Sequence, residues 1–345
     1  MNRKIKIFLA AYVNFPNAQN INCDNIARYL NKDKFEVHTL YTPKMPIDRT
    51  FYRKHGIRLH RLFHRRYLWF WSKVQIMLLA DCDIYYLPKQ EAPDRFFAKL
   101  VKGKKKLVSS VEGVVGEQIP TDDERTRTWF ELMDEVFSIS QCVKESVFRC
   151  WYMDTPLLYL GIDPPEMAGG SKQAVHEIIW VGSLISRKRP QYLLEIAKEF
   201  PELNFTMIGD GEMESAIRLE AANISNLKMA GRISNQQVYE HMKKADLLLM
   251  TSDKEGLPKV IGEAMSMGIP ALYIDECYTV DYIQNGVNGY GVPDLDEMKH
   301  KIRLLIDDPE RYKQMTKKAR ESIKPYLWFV LIKKYEQYFE SLVKE

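Results

Sequence analysis

Short apolar runs bounded by polar residues recur along the chain, and most are followed by a stretch with apolar positions three and four apart. Residues 4–12 open the series as a strand with an apolar centre, and Ile21, Ile26, Ala27 and Leu30 give one face of the helix after it. Residues 35–41 alternate as a second strand, 57–63 form a third, and 84–87 and 106–110 are further strands around a helix over 92–101. A cluster of Pro164, Pro165, Gly169, Gly170 and Ser171 then marks a boundary within 163–173. Residues 178–182 restart the alternation, and Pro190 opens a helix with Tyr192, Leu193, Ile196, Ala197 and Phe200 on its apolar face. Residues 205–208 and 229–231 end two more strands, and Ser234 with Gln237 makes a capping box for the helix through Met242. Repeated β-then-α units predict parallel sheets covered by helices on both faces. Two such series make an α/β chain of two Rossmann-like, doubly wound domains, with ligands expected in a cleft outside the strand C-termini.

The 345 residues suffice for two domains that each bury a core. Charge changes the picture more than length does. Residues 1–110 hold 22 Lys and Arg against 8 Asp and Glu, whereas the whole chain carries only +4. A first third this basic predicts an anionic partner. In residues 64–73, Arg65, Arg66 and Lys73 interleave with Tyr67, Trp69, Phe70 and Trp71, as an interfacial segment requires. Lys102, Lys104, Lys105 and Lys106 add a cationic run. An anionic membrane surface, met through residues 58–73 and 102–106, is therefore a candidate partner; a core helix beside a solvated basic face is the plainer reading. Nucleic acid is not expected, because no recognisable binding motif accompanies the charge. No stretch reaches the roughly 20 apolar residues that a spanning helix needs. Five dispersed cysteines without metal spacing suggest reduced thiols, and a cytoplasmic protein, peripheral to the membrane, is expected.

The densest chemistry lies in Glu255-Gly256-Leu257-Pro258-Lys259 and its continuation to Pro270. Residues 245–252 read as a buried strand, Gly256 as a turn and Pro258 as the first helical residue, where its missing N–H costs nothing. Gly268 suits the helix end and Pro270 stops it. Amide groups at a helix start attract phosphate, and nearby carboxylates such as Glu255 and Glu263 accept hydroxyls of a sugar or ribose. A sugar nucleotide satisfies both. The plainer reading pairs Glu263 with Lys259 one turn away and leaves Glu255 in solvent.

This stretch resembles the signature E-G-x-P-x-x-x-x-E-A-M-x-x-G-x-P of glycosyltransferase family 4, retaining enzymes of the GT-B fold among the group 1 glycosyl transferases. The resemblance is tight from about residue 180 to 270. It implies an acceptor-side domain over 1–165, a nucleotide-sugar domain over 166–325 and a helix over 326–345 returning to the first domain. It implies that Glu255 meets the donor sugar, that Glu263 binds ribose hydroxyls, and that the backbone of Gly256, Leu257, Pro258 and Lys259 faces sugar or phosphate. Breaking the anomeric C–O bond builds charge on the leaving diphosphate, so fixed cations are needed there. Gly182 and Lys188 stand where the family has a glycine and, six residues on, a lysine on the donor diphosphate; Ser183 replaces the family arginine, and Arg187 or Arg189 could supply the missing cation. Gly209, Asp210 and Gly211 would shape the nucleotide pocket. Two positions depart from the family. The first loop, residues 14–20, has no glycine, and Glu112 stands where His is common and is the candidate there for contacting the transferred sugar.

The resulting expectation is a hexosyltransferase that moves a sugar from a nucleotide donor to a glycan or lipid-linked acceptor of a cell-surface polysaccharide. No cofactor is expected and, without a His-rich cluster, no metal. A catalytically silent nucleotide-sugar binder or assembly partner is the alternative from another class, and an epimerase or phosphorylase on the same fold is a rival among enzymes.

Overall fold

In the computed structural model the chain divides into two units, 1–161 with 327–345 and 162–326. The structure describes residues 3–15, 17–63, 68–116, 120–164, 172–275 and 278–344, with the side chains of 120–123 also outside the description. Residues 64–67 of the basic aromatic segment and 165–171 of the Pro/Gly cluster therefore lie outside the described residues.

The first unit alternates strand and helix: β1 Ile5–Tyr12, α1 Ala18–Tyr29, β2 Phe35–Tyr41, α2 Arg49–Lys54, β3 Ile57–Arg61, α3 Leu68–Ala80, β4 Ile84–Tyr86, α4 Ala92–Val101, β5 Lys106–Val111, α5 Pro120–Phe130, β6 Glu135–Ser138 and α6 Gln141–Trp151. Its sheet is wholly parallel in the order β3-β2-β1-β4-β5-β6. β1 is central, with Ile7 level with Val37 on one side and Ile84 on the other. Residues 7 to 11 are all buried, which is why this strand reads as a continuous apolar run rather than an alternation.

The second unit repeats the scheme with β7 Glu177–Val181, α7 Gln191–Glu199, β8 Asn204–Ile208, α8 Glu214–Ala221, β9 Leu227–Gly231, α9 Asn235–Lys244, β10 Leu247–Met250, α10 Lys259–Ser266, β11 Ala271–Ile274, β12 Gly289–Val292, α11 Leu295–Asp307 and α12 Pro309–Ser322. Its parallel sheet runs β12-β11-β10-β7-β8-β9. Ile178, Trp180, Leu193, Leu249, Leu272, Ile302 and Tyr312 belong to one continuous core. The capping box expected at Ser234 is present, with Ser234 Oγ accepting from the Gln237 amide and the Gln237 side chain returning to the Ser234 amide.

The last helix, α13 Trp328–Lys344, belongs to the first unit. Trp328, Leu331, Tyr335, Phe339 and Leu342 are buried along one face at three- and four-residue spacing. Trp328 stacks with Tyr29, and Tyr335 meets Phe137 edge-on. A side chain at Gly161 would place its Cβ 2.4 Å from the Trp328 ring, so the seat of α13 requires glycine there. Among the described residues no helix is long and apolar enough to cross a membrane.

The basic segment is corrected at one residue. Lys73 does not present a cation to an interface: it is fully buried, in ion contact with Glu91 and Asp94 at 2.7 Å each. Its helix turns this position inward, where two carboxylates offset the desolvation of the ammonium. Burial alone would push Lys73 down, but Asp94, Tyr12 and Glu91 outweigh it and hold the group above the ordinary lysine value, fully charged.

Candidate functional site

The site in the second unit is built at the C-terminal ends of β7, β8 and β10. β7 runs out into Gly182 and Ser183, and a 3₁₀ turn over Ser186–Lys188 follows. The Gly182 amide donates to Ile208 O at 3.0 Å and the Leu184 amide to Asp210 O at 2.8 Å, so the loops after β7 and β8 run side by side. That closeness fixes two glycines. A Cβ on Gly209, whose φ is +143°, would lie 1.8 Å from Gly182 O, and one on Gly211 would lie 2.5 Å from Leu184 O. Asp210 between them is half exposed, with Arg232 3.5 Å from its carboxylate. Gly209 and Gly211 thus shape the loop by letting it approach its neighbour.

The third strand end ties in through Thr251. Its hydroxyl donates to Lys188 O at 2.7 Å and accepts from the buried Trp180 indole at 2.9 Å. The Asp253 amide donates to Arg187 O at 2.9 Å. These bonds bring the side chains of Arg187 and Lys188 onto the carboxylate after β10. Lys188 Nζ donates to Glu255 Oε1, and Arg187 Nη1 reaches the same oxygen at 3.1 Å while also donating to Lys254 O. Glu255 and Lys188 are mostly buried, Arg187 nearly half exposed. Two cations on one carboxylate leave a net positive strand end beside an oxygen acceptor, suited to an anion and a hydroxyl together.

Gly256 and Leu257 form the turn into α10. Pro258 is its N-cap, with ψ of 89°, rather than its first helical residue. The Pro258 carbonyl still accepts from the Ile261 amide at 3.0 Å and also takes the Tyr282 hydroxyl at 2.6 Å. That second bond holds the residue outside helical geometry. Lys259 therefore begins the helix. At the other end Gly268 adopts φ of +75°, and its amide and that of Ile269 return to Met265 and Ala264.

Glu263 projects from α10 eight positions after Glu255. Burial pushes its carboxyl above the usual range, while Lys259 and the Tyr239 hydroxyl, 3.4 Å away, oppose that rise. Tyr239, Tyr282 and Thr251 are the residues that sequence reasoning passes over. Thr251, immediately after the apolar run, carried the one available signal.

Glu112 lies in the other unit, just beyond β5. It accepts from Ser110 Oγ at 3.1 Å, and Ser110 in turn shares a 2.8 Å hydrogen bond with the buried Tyr86 hydroxyl. The glycine-free first loop is pinned by asparagines. Asn14 Nδ2 donates to Thr42 O and Met45 O, and Asn14 Oδ1 accepts from the Thr42 amide. Asn20 Oδ1 accepts from the Tyr12 amide, and Asn17 caps α1. Among the described residues no group of three His, Cys, Asp or Glu is placed to hold a metal ion.

Two six-stranded parallel sheets of this kind, in two helix-covered units, define the GT-B fold. HepE of Anabaena, solved with UDP and glucose, superposes at TM-score 0.78 over 98% of this chain and 100% of its own, at 15% identity. Residues 168–322, which include every site residue named above in the second unit, match the family model described as glycosyl transferases group 1. The O-antigen biosynthesis glycosyltransferase WbnH of Escherichia coli is 25% identical over 191 residues, 54% of this chain and 55% of its own length. An uncharacterized glycosyltransferase of Haemophilus influenzae is 31% identical over 158 residues, 41% of this chain and 43% of its own. The chain thus spans about half the length of the curated relatives it matches.

Proposed function

We propose that this protein is a retaining, metal-independent glycosyltransferase that moves a hexose from a nucleoside-diphosphate sugar to a glycan or lipid-linked acceptor in cell-surface polysaccharide biosynthesis. The observation that carries this reading is the convergence of Arg187 and Lys188 on Glu255, at a strand end followed by a helix that carries Glu263. The group 1 match over the same residues supports it, as do the relatives' names: WbnH acts in O-antigen and AmsK of Erwinia amylovora in amylovoran biosynthesis.

In this mechanism the anomeric C–O bond to the diphosphate breaks while the acceptor hydroxyl forms a bond on the same face. The acceptor's proton passes to the departing phosphate oxygen, so no protein nucleophile is consumed. Arg187 and Lys188 stabilise the charge on the leaving diphosphate, Glu255 holds sugar hydroxyls, and Glu263 takes ribose hydroxyls. Glu112 contacts the transferred sugar. The basic first unit, with exposed Phe63, Trp71 and Phe96 and the 102–106 lysines, rests on an anionic inner membrane surface.

Thermal denaturation with UDP-, GDP-, ADP- and CMP-sugars is the test. One donor at a hundred times its Kd should stabilise the chain by about 2.7 kcal/mol, and Glu255→Ala should abolish the effect. Absence of any shift across the panel rejects the assignment. Product anomeric configuration by NMR tests retention, EDTA tests metal independence, and flotation with phosphatidylglycerol against phosphatidylcholine vesicles tests the membrane contact.

A further inference from the structure

Lys188, Glu255 and Glu112 all stand beyond C-terminal strand ends, where open α/β sheets receive ligands. The first unit has a recess at the opposite end of its sheet. It has a volume of about 350 Å³ and is lined by Asp83, Lys104, Lys105, Lys106 and Asp134 and, from α13, by Leu342 and Val343. Asp83 directly precedes β4, Lys106 opens β5 and Asp134 directly precedes β6, three strands adjacent in the sheet. At roughly 3.3 Å per residue, the length of β5 puts this recess about 20 Å from Glu112.

Its carboxylates are committed to the fold. Asp83 takes Arg3 at 2.6 Å on one oxygen and the Lys6 amide at 2.9 Å on the other. Asp134 Oδ2 accepts from the Leu107 amide at 2.7 Å. The lysines divide into two kinds. After α4, Gly103 turns the chain at φ of +74°, and the Lys104 and Lys105 amides both return to Val101 O. Lys102 donates to Glu131 O at 2.9 Å, outside the recess, and Lys105 pairs with Asp81 at 2.6 Å. Lys104 and Lys106 have no side-chain partner among the described residues, although Lys106 is half-buried.

Charge and volume choose the ligand class. Counting the lining residues with their ion partners, Arg3, Lys104, Lys105 and Lys106 stand against Asp81, Asp83 and Asp134, one cation in excess. Lys6 adds to the same field: the exposed Asp81 carboxyl is held below its usual range first by Lys105 and then by Lys6 and Arg3. Two ammoniums without partners suit a compact, doubly charged anion with several acceptor oxygens, which a phosphomonoester is near neutral pH. At about 350 Å³ the recess falls in the roughly 300–1,000 Å³ range of small-molecule sites, more than a bare phosphate fills. Leu342 and Val343 offer apolar surface to a carbon-bearing remainder. We propose that this recess binds a phosphomonoester, with Lys104 and Lys106 on its phosphate and its organic part against the end of α13. A soluble metabolite and a lipid headgroup share this chemistry. The phosphate chemistry rests on the recess itself; only a lipid source would rest on the membrane contact proposed above.

Isothermal titration calorimetry of the full chain with glycerol 3-phosphate tests it, with inorganic phosphate and glycerol as references. Glycerol 3-phosphate should bind once per chain and more tightly than either reference. Lys104→Ala combined with Lys106→Ala should weaken it at least about tenfold. Lys102→Ala removes a charge of the same run outside the recess, and Arg187→Ala removes one at the donor strand end. Each should change the affinity less than about twofold, as screened, distant charges do. No binding, equal weakening by Lys102→Ala, or loss in Arg187→Ala with binding kept in the double variant overturns the proposal. Flotation separates the two sources. Vesicles of phosphatidylcholine with phosphatidic acid, a phosphomonoester, are compared with vesicles carrying equal charge from phosphatidylglycerol, a diester. A preference for phosphatidic acid that the double variant loses assigns the site to lipid; calorimetric binding without that preference assigns it to a soluble phosphate. Flotation that persists in the double variant, with no glycerol 3-phosphate binding by the wild type, keeps the membrane contact and rejects the recess.

Discussion

Read outward from β3 and from β9, the two sheets share one winding order, β3-β2-β1-β4-β5-β6 and β9-β8-β7-β10-β11-β12, yet they spend their charges differently. In the second unit Arg187 and Lys188 converge on Glu255 at the strand ends, one cation in excess and partly open to solvent. In the first, Lys73 is sealed between Glu91 and Asp94, and with Lys89 3.6 Å from Glu91 the charge of the cluster cancels. The same scaffold thus carries ions of two kinds. Ions that leave a net charge near the surface are available to a ligand, whereas ions neutralised in the interior hold a wall in place. The balance of charge decides which, because an unpaired interior charge costs several kcal/mol, whereas the excess cation beside Glu255 falls on Arg187, which is nearly half exposed.

The largest predicted effect follows from the sealed cluster. Lys73→Met leaves two carboxylates without their cation and should cost about 3–5 kcal/mol, seen as a large fall in the melting temperature. Adding Asp94→Asn should restore part of the loss, since it removes one of the stranded charges. An unchanged melting temperature in the single variant would show that the cluster is not what holds this wall.

Glu255→Gln is the counterpart in the second unit. It keeps the shape but removes the charge on which Arg187 and Lys188 meet. Sugar transfer should fall about 10²–10³-fold, as for other preorganised polar groups. Stability should fall as well, by about 1–3 kcal/mol, because Glu255 and Lys188 are mostly buried and the buried ammonium loses its charged partner. A large stability loss with normal transfer would assign Glu255 to structure and reverse the contrast with Lys73.

The contrast also explains what could be read from the chain. Residues 245–270 are contiguous, so their apolar run, glycines, prolines and carboxylates announce a strand, a turn and a helix. The strand-helix alternation and the Ser234 cap are local in the same sense. The Lys73 cluster draws on residues 12, 73, 91 and 94 from separate elements, with no spacing to betray it. Lys73 follows Trp69, Phe70 and Trp71, and among such neighbours a lysine looks interfacial until its carboxylates are seen. Pro258 shows a smaller failure of the same kind: a distant hydroxyl, Tyr282, keeps it one position outside the helix.

A backbone test of the second unit comes next in size. Gly209→Ala would bring a Cβ within 1.8 Å of Gly182 O at a φ of +143°. The loops after β7 and β8 must then part, at a cost of about 2–3 kcal/mol measured by denaturant unfolding. Because those loops set the place of Lys188, donor-induced stabilisation should weaken with it. Wild-type stability in this variant would mean that the loops separate readily and do not fix the site.

The smallest effect returns to the first unit, where two histidines titrate in place of a sealed ion pair. His38 Nδ1 lies 3.0 Å from His60 Nε2, and His38 Nε2 lies 2.9 Å from Glu36 Oε1. One neutral arrangement satisfies the chain: His38 donates to Glu36 and accepts from His60. Burial pushes both imidazoles down, His60 to about 4, with His38 and Arg58 adding to its fall and Glu36 opposing that of His38. Unfolded histidines titrate near 6.5, so as pH falls through that value the unfolded chain takes up protons before the folded one. Stability from this pair is therefore fully present above about pH 6.5 and is lost as pH drops toward 4, by about 2 kcal/mol allowing for partial solvent access. His60→Gln keeps a donor for His38 but cannot titrate, so its unfolding free energy between pH 7 and pH 5 should fall about half as far as that of the wild type. Parallel slopes in the two proteins would place the acid sensitivity elsewhere, in carboxylates such as Glu36 and Glu91 whose folded values lie below the usual range and whose stabilisation fades only at lower pH.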